Sequence, residues 1–345
     1  MARRNQRGSR QKAIGCASIL LFFLLVTAIA AGGAAWLVFT PYGPSTETFV
    51  NIAPGSSAIA IAHKLESSGI VRSRYAFDLV RSLQHGTLHA GTYQFDHPLP
   101  VTDVYQQIAR GDVFTKVVTV PEGANIFDIA ERVEQAGLGK RRDFLAAANQ
   151  PALIADLDPA AKSLEGYLFP DTYRFSPNAT AAQIVAAMVK RFRQEAAQIG
   201  LTQNVHKVVT IASLVERETA IDTERPLVAS VFDNRLAQNM PLKTDPSVIY
   251  GLELIGQWRG TIYASDLTHD TVYNTYLHAG LPPGPIANPG VPSLRAAMNP
   301  AKTTYLYFVA AGLNAQGHSL FATTLDEHNK NVATYRQEQK KAGER

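Results

Sequence analysis

From Ala13 to Thr40 the chain runs 28 residues without a charged side chain. At 1.5 Å rise per residue such a helix outreaches the roughly 30 Å hydrocarbon core of a bilayer, so a tilted or end-frayed membrane span is predicted. Arg3, Arg4, Arg7, Arg10 and Lys12 precede it, and no acid occurs before Glu47. Positive charge stays on the cytoplasmic side, which sends everything after Trp36 outward. Ala30-Ala31-Gly32 offers the small residues of a cleavable signal, but the apolar run continues past it through Trp36-Leu-Val-Phe39, which favours a retained anchor.

Beyond the linker Pro41–Thr46 the apolar pattern repeats itself. A shift of 68 residues lays Val50 on Val118, Ile52 on Val120, Gly55 on Gly123, Ile61-Ala62 on Ile129-Ala130, Gly69-Ile70 on Gly137-Leu138 and Phe77 on Leu145. Each copy reads as a short alternating strand, a Pro-Gly or Pro-Glu-Gly turn, an amphipathic helix and a closing Gly. Between the copies, Gly91–Phe95 reads as a strand and Thr102–Arg110 as a helix.

After about residue 150 helical periodicity dominates. Asn178-Ala-Thr180 caps a helix carrying Ile184, Val185, Met188 and Phe192; others are predicted from about Val205 to Glu218 and from Arg225 to Leu236. Tyr305–Val309 reads as a strand and Asp326–Lys340 as a polar terminal helix. The expected class is α+β. In Ile211–Ala220, IASLVERETA, the stripe Val208, Ile211, Ala212, Val215 and Thr219 leaves Glu216 and Glu218 on opposite shoulders. Helical geometry alone does not choose between these two acids, nor between a cleft and a solvated helix end.

Charge and composition narrow the chemistry. Of 33 Lys and Arg residues five lie in the tail, leaving 28 against 29 acids beyond the span, so the basic pI is a topology signal and no nucleic-acid footprint is expected. The single Cys16 precludes an internal disulfide. No Gly-rich phosphate loop and no G-x-S-x-G elbow occurs, and the spacing of His85 and His89 lacks a third ligand, so neither metal nor cofactor is expected. What remains are proline-stiffened loops dense in Tyr, Asn and Asp, the groups that stack on and hydrogen-bond to sugars: Leu164–Tyr173, Leu242–Gly251, Tyr273–Tyr276 and Gly280–Ser293.

The first repeat resembles the LysM fold, which binds N-acetylglucosamine-containing wall glycans; a simple spacer of two small α/β units fits the pattern equally. Glu165-Gly-Tyr-Leu-Phe-Pro-Asp171, Ala212-Ser-Leu-Val-Glu-Arg-Glu218, Val228–Arg235, Thr244–Gly251, Tyr273–Tyr276 and Gly280–Ile286, in order, resemble the successive motifs of the YceG-like family, endolytic murein transglycosylases of MltG type. Charge and apolar pattern give a basic tail over 1–12, a span over 13–40 and a linker over 41–46, and the two resemblances imply a LysM-like subdomain over 47–118 and a catalytic domain over 119–345. The YceG-like resemblance places the catalytic carboxyl on Glu216, with a pKa raised by partial burial, and Glu218 beside it as a supporting ion-pair residue. Asp245, Tyr250, Asn274 and Tyr276, then Glu165, Asp171 and Asn288, are implied as sugar-binding residues. His318-Ser-Leu-Phe321 carries one residue more than the family's His-x-Phe, and one insertion reverses a strand's face, so His318 is given no role. Implied partners are peptidoglycan strands, the plasma membrane and peptidoglycan synthases of the penicillin-binding type. A water-using muramidase and a non-catalytic wall-binding scaffold are the alternatives.

Overall fold

The structure, a computed structural model, describes residues 3–312 and 317–343; the side chains of the basic tail and Cys16 lie outside the described residues. The chain forms two compact units, Met1–Thr115 and Lys116–Arg345. It is mixed α+β, with three two-stranded antiparallel sheets among the described residues.

Unit 1 opens with α1 (Arg3–Phe39), whose Ser18–Phe39 segment, at mean hydropathy 2.3, is long and apolar enough to cross a membrane. There follow β1 (Thr48–Ile52), α2 (Ala58–Ser67), α3 (Arg74–Gln84), β2 (Gly91–Phe95) and α4 (Val101–Arg110). β1 and β2 pair antiparallel with Val50 opposite Tyr93, and both side chains enter a core with Leu65, Phe77, Phe95 and Ile108. Ser57 starts α2 because its side chain accepts from the Ala60 N–H, satisfying a donor the helix itself leaves free.

Unit 2 begins with the second copy of the repeat, β3 (Lys116–Thr119), α5 (Ile126–Gln135), α6 (Arg141–Ala148) and β4 (Thr172–Phe175). The 68-residue shift carries β1 onto β3 at its start and α2 onto α5 at both ends. Gly69 and Gly137, which close the two helices, share a left-handed backbone at φ 70° and 66°. Each copy holds a second helix, α3 or α6, where the sequence reading expects only one. The burial stripe of α3, Ala76, Phe77 and Val80, is hidden among the exposed apolar residues Tyr75, Leu79 and Leu83, so no clean period shows.

The rest of unit 2 is α7 (Ala181–Ile199), α8 (Val205–Glu218), α9 (Arg225–Ala237), α10 (Asp245–Leu254), α11 (Val291–Met298), β5 (Tyr307–Ala310), β6 (Ser319–Ala322) and α12 (Leu325–Gly343). Thr180 and Gln183 form a reciprocal cap on α7. α8 is not amphipathic as its stripe suggests: every residue from Val209 to Val215 is buried, and the helix packs between α9 and α11 at the centre of the unit. α10 and α11 stand in segments that read as proline loops. Their prolines, Pro246 and Pro292, sit in the first turn, where the missing N–H costs no helical hydrogen bond.

The Pro-rich segment is bolted onto α8. Ser213 Oγ accepts from the Ile286 N–H at 3.1 Å while donating to Thr210 O. Gly166 lies in the same contact: at φ 86°, a Cβ there would fall 2.6 Å from Pro285 and 2.8 Å from Val209. Gly166→Ala is therefore expected to destabilise by on the order of 3 kcal/mol, combining left-handed strain with overpacking. The urea midpoint should drop without a change of slope; an unchanged midpoint would show that the Pro285 loop moves freely.

Candidate active site

Two residues on an α-helix separated by two positions point about 200° apart, and the end of α8 exploits this. The Glu216 side chain, 5% exposed, is turned inward: it accepts from Arg225 Nη2 at 3.0 Å and from the Gly290 N–H at 2.9 Å. Arg225, itself buried, donates Nε to Ser293 Oγ at 3.0 Å and also pairs with Asp222. A guanidinium and the N-terminal end of α11 both match a carboxylate at Glu216.

Glu218 turns the other way, into a cavity of about 640 Å³ lined with Arg235, Lys243, Asp245, Tyr276, Tyr307, Phe308, Val309, His328 and Arg336. Withdrawal from water raises the Glu218 carboxyl to about 7, and the nearby Asp245 charge adds to the rise, against a hydrogen bond from Thr244 and the Arg235 charge. Tyr276 Oη donates to Asp245 Oδ1 at 2.6 Å. Arg235 is spent on the backbone: Nε reaches Leu306 O at 2.6 Å and Nη1 reaches Leu242 O at 2.7 Å, so it holds β5 and the Leu242 loop around the cavity. Lys243 projects from a strained left-handed backbone, φ 52°, fixed by its N–H on Thr275 O.

The structure thus separates the residues that the sequence groups. Glu218, Asp245 and Tyr276 share the cavity. Asn274 is fully buried; its Nδ2 donates to Leu267 O and His269 O and its Oδ1 accepts from the Tyr276 N–H, so it shapes the loop that presents Tyr276. Glu165 and Asn288, also buried, are joined at 2.9 Å. Glu165 accepts from the Ile126 N–H at the start of α5, and Asn288 clamps Ala124 and Leu168. Burial pushes Glu165 up to about 8. Tyr250, 3% exposed, hydrogen-bonds with Glu165 and packs edge-on to Tyr273, with ring centroids 4.9 Å apart. Asp171 pairs with Arg191 at 2.8 Å, which holds its carboxyl below the usual range. These five brace loops; their polar atoms are already committed within the protein.

His318 Nδ1 lies 2.9 Å from Glu224 Oε1, which also accepts from the Ser319 N–H, fastening β6 to the start of α9. Glu122, in the Pro-Glu-Gly turn, is a residue that the sequence reading passes over. Its carboxyl, partly withdrawn from water beside Glu216, is raised, burial being the larger cause.

The sequence pattern of the family described as the YceG-like family matches residues 50–334. An endolytic murein transglycosylase of Bacillus subtilis is 35% identical over 312 residues, 84% of this chain and 85% of that protein. An endolytic murein transglycosylase of Streptococcus pneumoniae is 29% identical over 360 residues, 92% of this chain and 65% of that protein. A crystal structure of a yceG-like protein from Listeria monocytogenes superposes with a TM-score of 0.53 at 33% identity, covering 83% of this chain and 99% of that one.

A carboxyl whose folded-state pKa exceeds its unfolded value keeps its proton after the unfolded chain has lost it. Glu218 therefore lowers stability as pH rises from about 4.5 to about 7, and Glu165 does so up to about 8. Glu218→Gln is expected to gain stability over the parent near pH 8 and to match it near pH 4, read by urea midpoints. A gain of equal size at both pH values would show that Glu218 titrates normally.

Proposed function

The chain belongs to the YceG-like family, and from that premise we propose that it is an endolytic peptidoglycan transglycosylase with Glu218 as its acid–base residue. The observation that carries the assignment is the placing of a half-buried carboxyl with a pKa of about 7 on the wall of a cavity shared with Asp245 and Tyr276. We therefore move the role that the resemblance gives to Glu216 onto its neighbour, since the Glu216 side chain is 5% exposed and its carboxyl is engaged by Arg225 and the Gly290 N–H.

The chemistry is cleavage of the β-1,4 bond between N-acetylmuramic acid and N-acetylglucosamine. Glu218, populated as both acid and base near neutrality, protonates the departing glycosidic oxygen. As a carboxylate it then accepts the proton of the muramic C6 hydroxyl, whose oxygen closes on C1 to leave a 1,6-anhydro end. One carboxyl serves both transfers, so the paired acids of hydrolytic glycosidases are not required. Asp245, oriented by Tyr276, places negative charge where oxocarbenium character develops. The proximity of Asp245 to Glu218 also favours a second reading, a muramidase in which Asp245 activates water.

The wider organisation follows the same reading. Residues 1–12 remain in the cytoplasm, 13–40 span the plasma membrane, 41–46 link, 47–118 form a LysM-like glycan-holding subdomain and 119–345 the catalytic domain. The β-α-α-β order of β1, α2, α3 and β2 supports the LysM-like reading. Nascent strands at the outer face are the substrate, with peptidoglycan synthases as neighbours.

Glu218→Gln is expected to reduce strand cleavage by roughly 10³- to 10⁴-fold, since general acid–base transfer is worth about 10² to 10⁴ and one group here performs both steps. Glu216→Gln is expected to lower stability by on the order of 3 kcal/mol through the broken buried pair while its folded fraction keeps most activity. Mass analysis of digests should find anhydro ends. Reducing ends alone would establish the muramidase, and an active Glu218→Gln protein would remove Glu218 from the chemistry.

A further inference from the structure

Unit 1 carries a row of large apolar side chains that its core does not use. While Ala76, Phe77 and Val80 bury one face of α3, Tyr75, Leu79 and Leu83, four residues apart along another, remain 69%, 42% and 72% exposed. Scattered exposed apolar residues are ordinary; a row of three on one helix marks an interaction surface. Its surroundings carry Arg72, Arg74 and Arg81 against two acids, Asp78, which lies 3.6 Å from Arg81, and Glu66, which accepts from the Arg74 N–H at 3.1 Å.

The place of this row identifies its partner. α3 packs against α1, and Val38 near the end of α1 lies in the same core as Phe77. The Arg72 guanidinium stands 4.1 Å from the ring centroid of Trp36 and 4.9 Å from that of Tyr42. Trp and Tyr at the end of an apolar span mark the headgroup level of a bilayer, and a helix in contact with that point lies within about one helix diameter, ~10 Å, of the lipid surface.

We propose that the Tyr75–Leu79–Leu83 face of α3 is a membrane foot, seated in the headgroup layer of the bilayer that α1 spans, with Arg72, Arg74 and Arg81 against anionic lipid phosphates. The proposal rests on the reading of α1 as a membrane span. The arrangement is that of an interfacial helix: an apolar face enters the boundary region while flanking arginines keep their charges at phosphate level. It adds a second attachment to the anchor and fixes how unit 1 lies on the membrane, through contacts that the anchor alone does not make.

The test uses the full chain with Cys16→Ser, in vesicles of phosphatidylcholine and phosphatidylglycerol, carrying an environment-sensitive fluorophore on one introduced cysteine. Leu83→Cys is the probe, Ile29→Cys reports the span, and Glu131→Cys is the exposed control in unit 2. The label at 83 is expected to be blue-shifted and quenched by headgroup-proximal spin-labelled lipid. Iodide should quench it roughly threefold less than at 131, as a face sunk ~5–10 Å into the boundary excludes ions. Vesicles of phosphatidylcholine alone should weaken the shift. Iodide access at 83 equal to that at 131, with position 29 quenched by lipid, would overturn the foot and leave the span standing. Protection at 83 from both iodide and lipid quencher would also overturn it, since protein then covers the face. Loss of lipid quenching at 29 would refute the span and, with it, the foot.

Discussion

The buried ion pair between Arg225 and Glu216 is the constraint on which the site depends. Arg225 ties the end of α8 to the start of α9 through Glu216 and to α11 through Ser293. A buried charge of this kind contributes little net stability against an apolar equivalent, yet removing one partner is strongly destabilising. Its consequence is geometric: the last turn of α8 cannot rotate. With Glu216 held inward, Glu218, two residues on, has to face the cavity. The same carboxyl gains its proton affinity from that placement, because the cavity wall withdraws it from water and sets it near Asp245.

A second constraint fixes the loops around the first. Glu165, Asn288 and Tyr250 join the start of α5, the Gly166 turn and the Pro-rich segment through buried hydrogen bonds. Proline stiffens these loops locally, but their mutual positions come from these side chains. Polar residues in such loops therefore divide between those that build the shape and those that face the substrate.

That division explains what was legible in the sequence. The two copies of the repeat, with matching turns and glycine stops, were readable because identical local conformations leave identical residue types. α7 followed from periodicity and its Thr180 cap, and α8 and α9 from the spacing of their apolar residues. The direction of Glu216 and Glu218 was not readable, because every residue from Val209 to Val215 is buried and the exposed Arg217 lies between the two acids, so the stripe of α8 does not mark which shoulder faces the cavity. Asn274 and Asn288 resemble sugar ligands in composition, but contacts within its own loop absorb the hydrogen bonds of Asn274 and long-range contacts absorb those of Asn288. Tyr307, His328 and Arg336 enter the cavity from β5 and α12, which only tertiary packing brings there. Glu122 had a local signal, its Pro-Glu-Gly turn, but nothing in the sequence set it beside Glu216.

Proton transfer in the cavity depends on which carboxyl titrates there, and carbon NMR of chains labelled at the glutamate side-chain carboxyl measures it directly. A titration of the parent protein, with Glu218→Gln, Glu216→Gln and Glu253→Gln for assignment, should show, beside the Glu253 carboxyl that also titrates near 7, a second resonance with a midpoint near 7. That resonance should be absent from Glu218→Gln, retained in Glu216→Gln, and shifted when a muramic-acid-containing oligosaccharide is added. A resonance assigned to Glu218 that titrates near 4 and ignores the oligosaccharide would contradict the account.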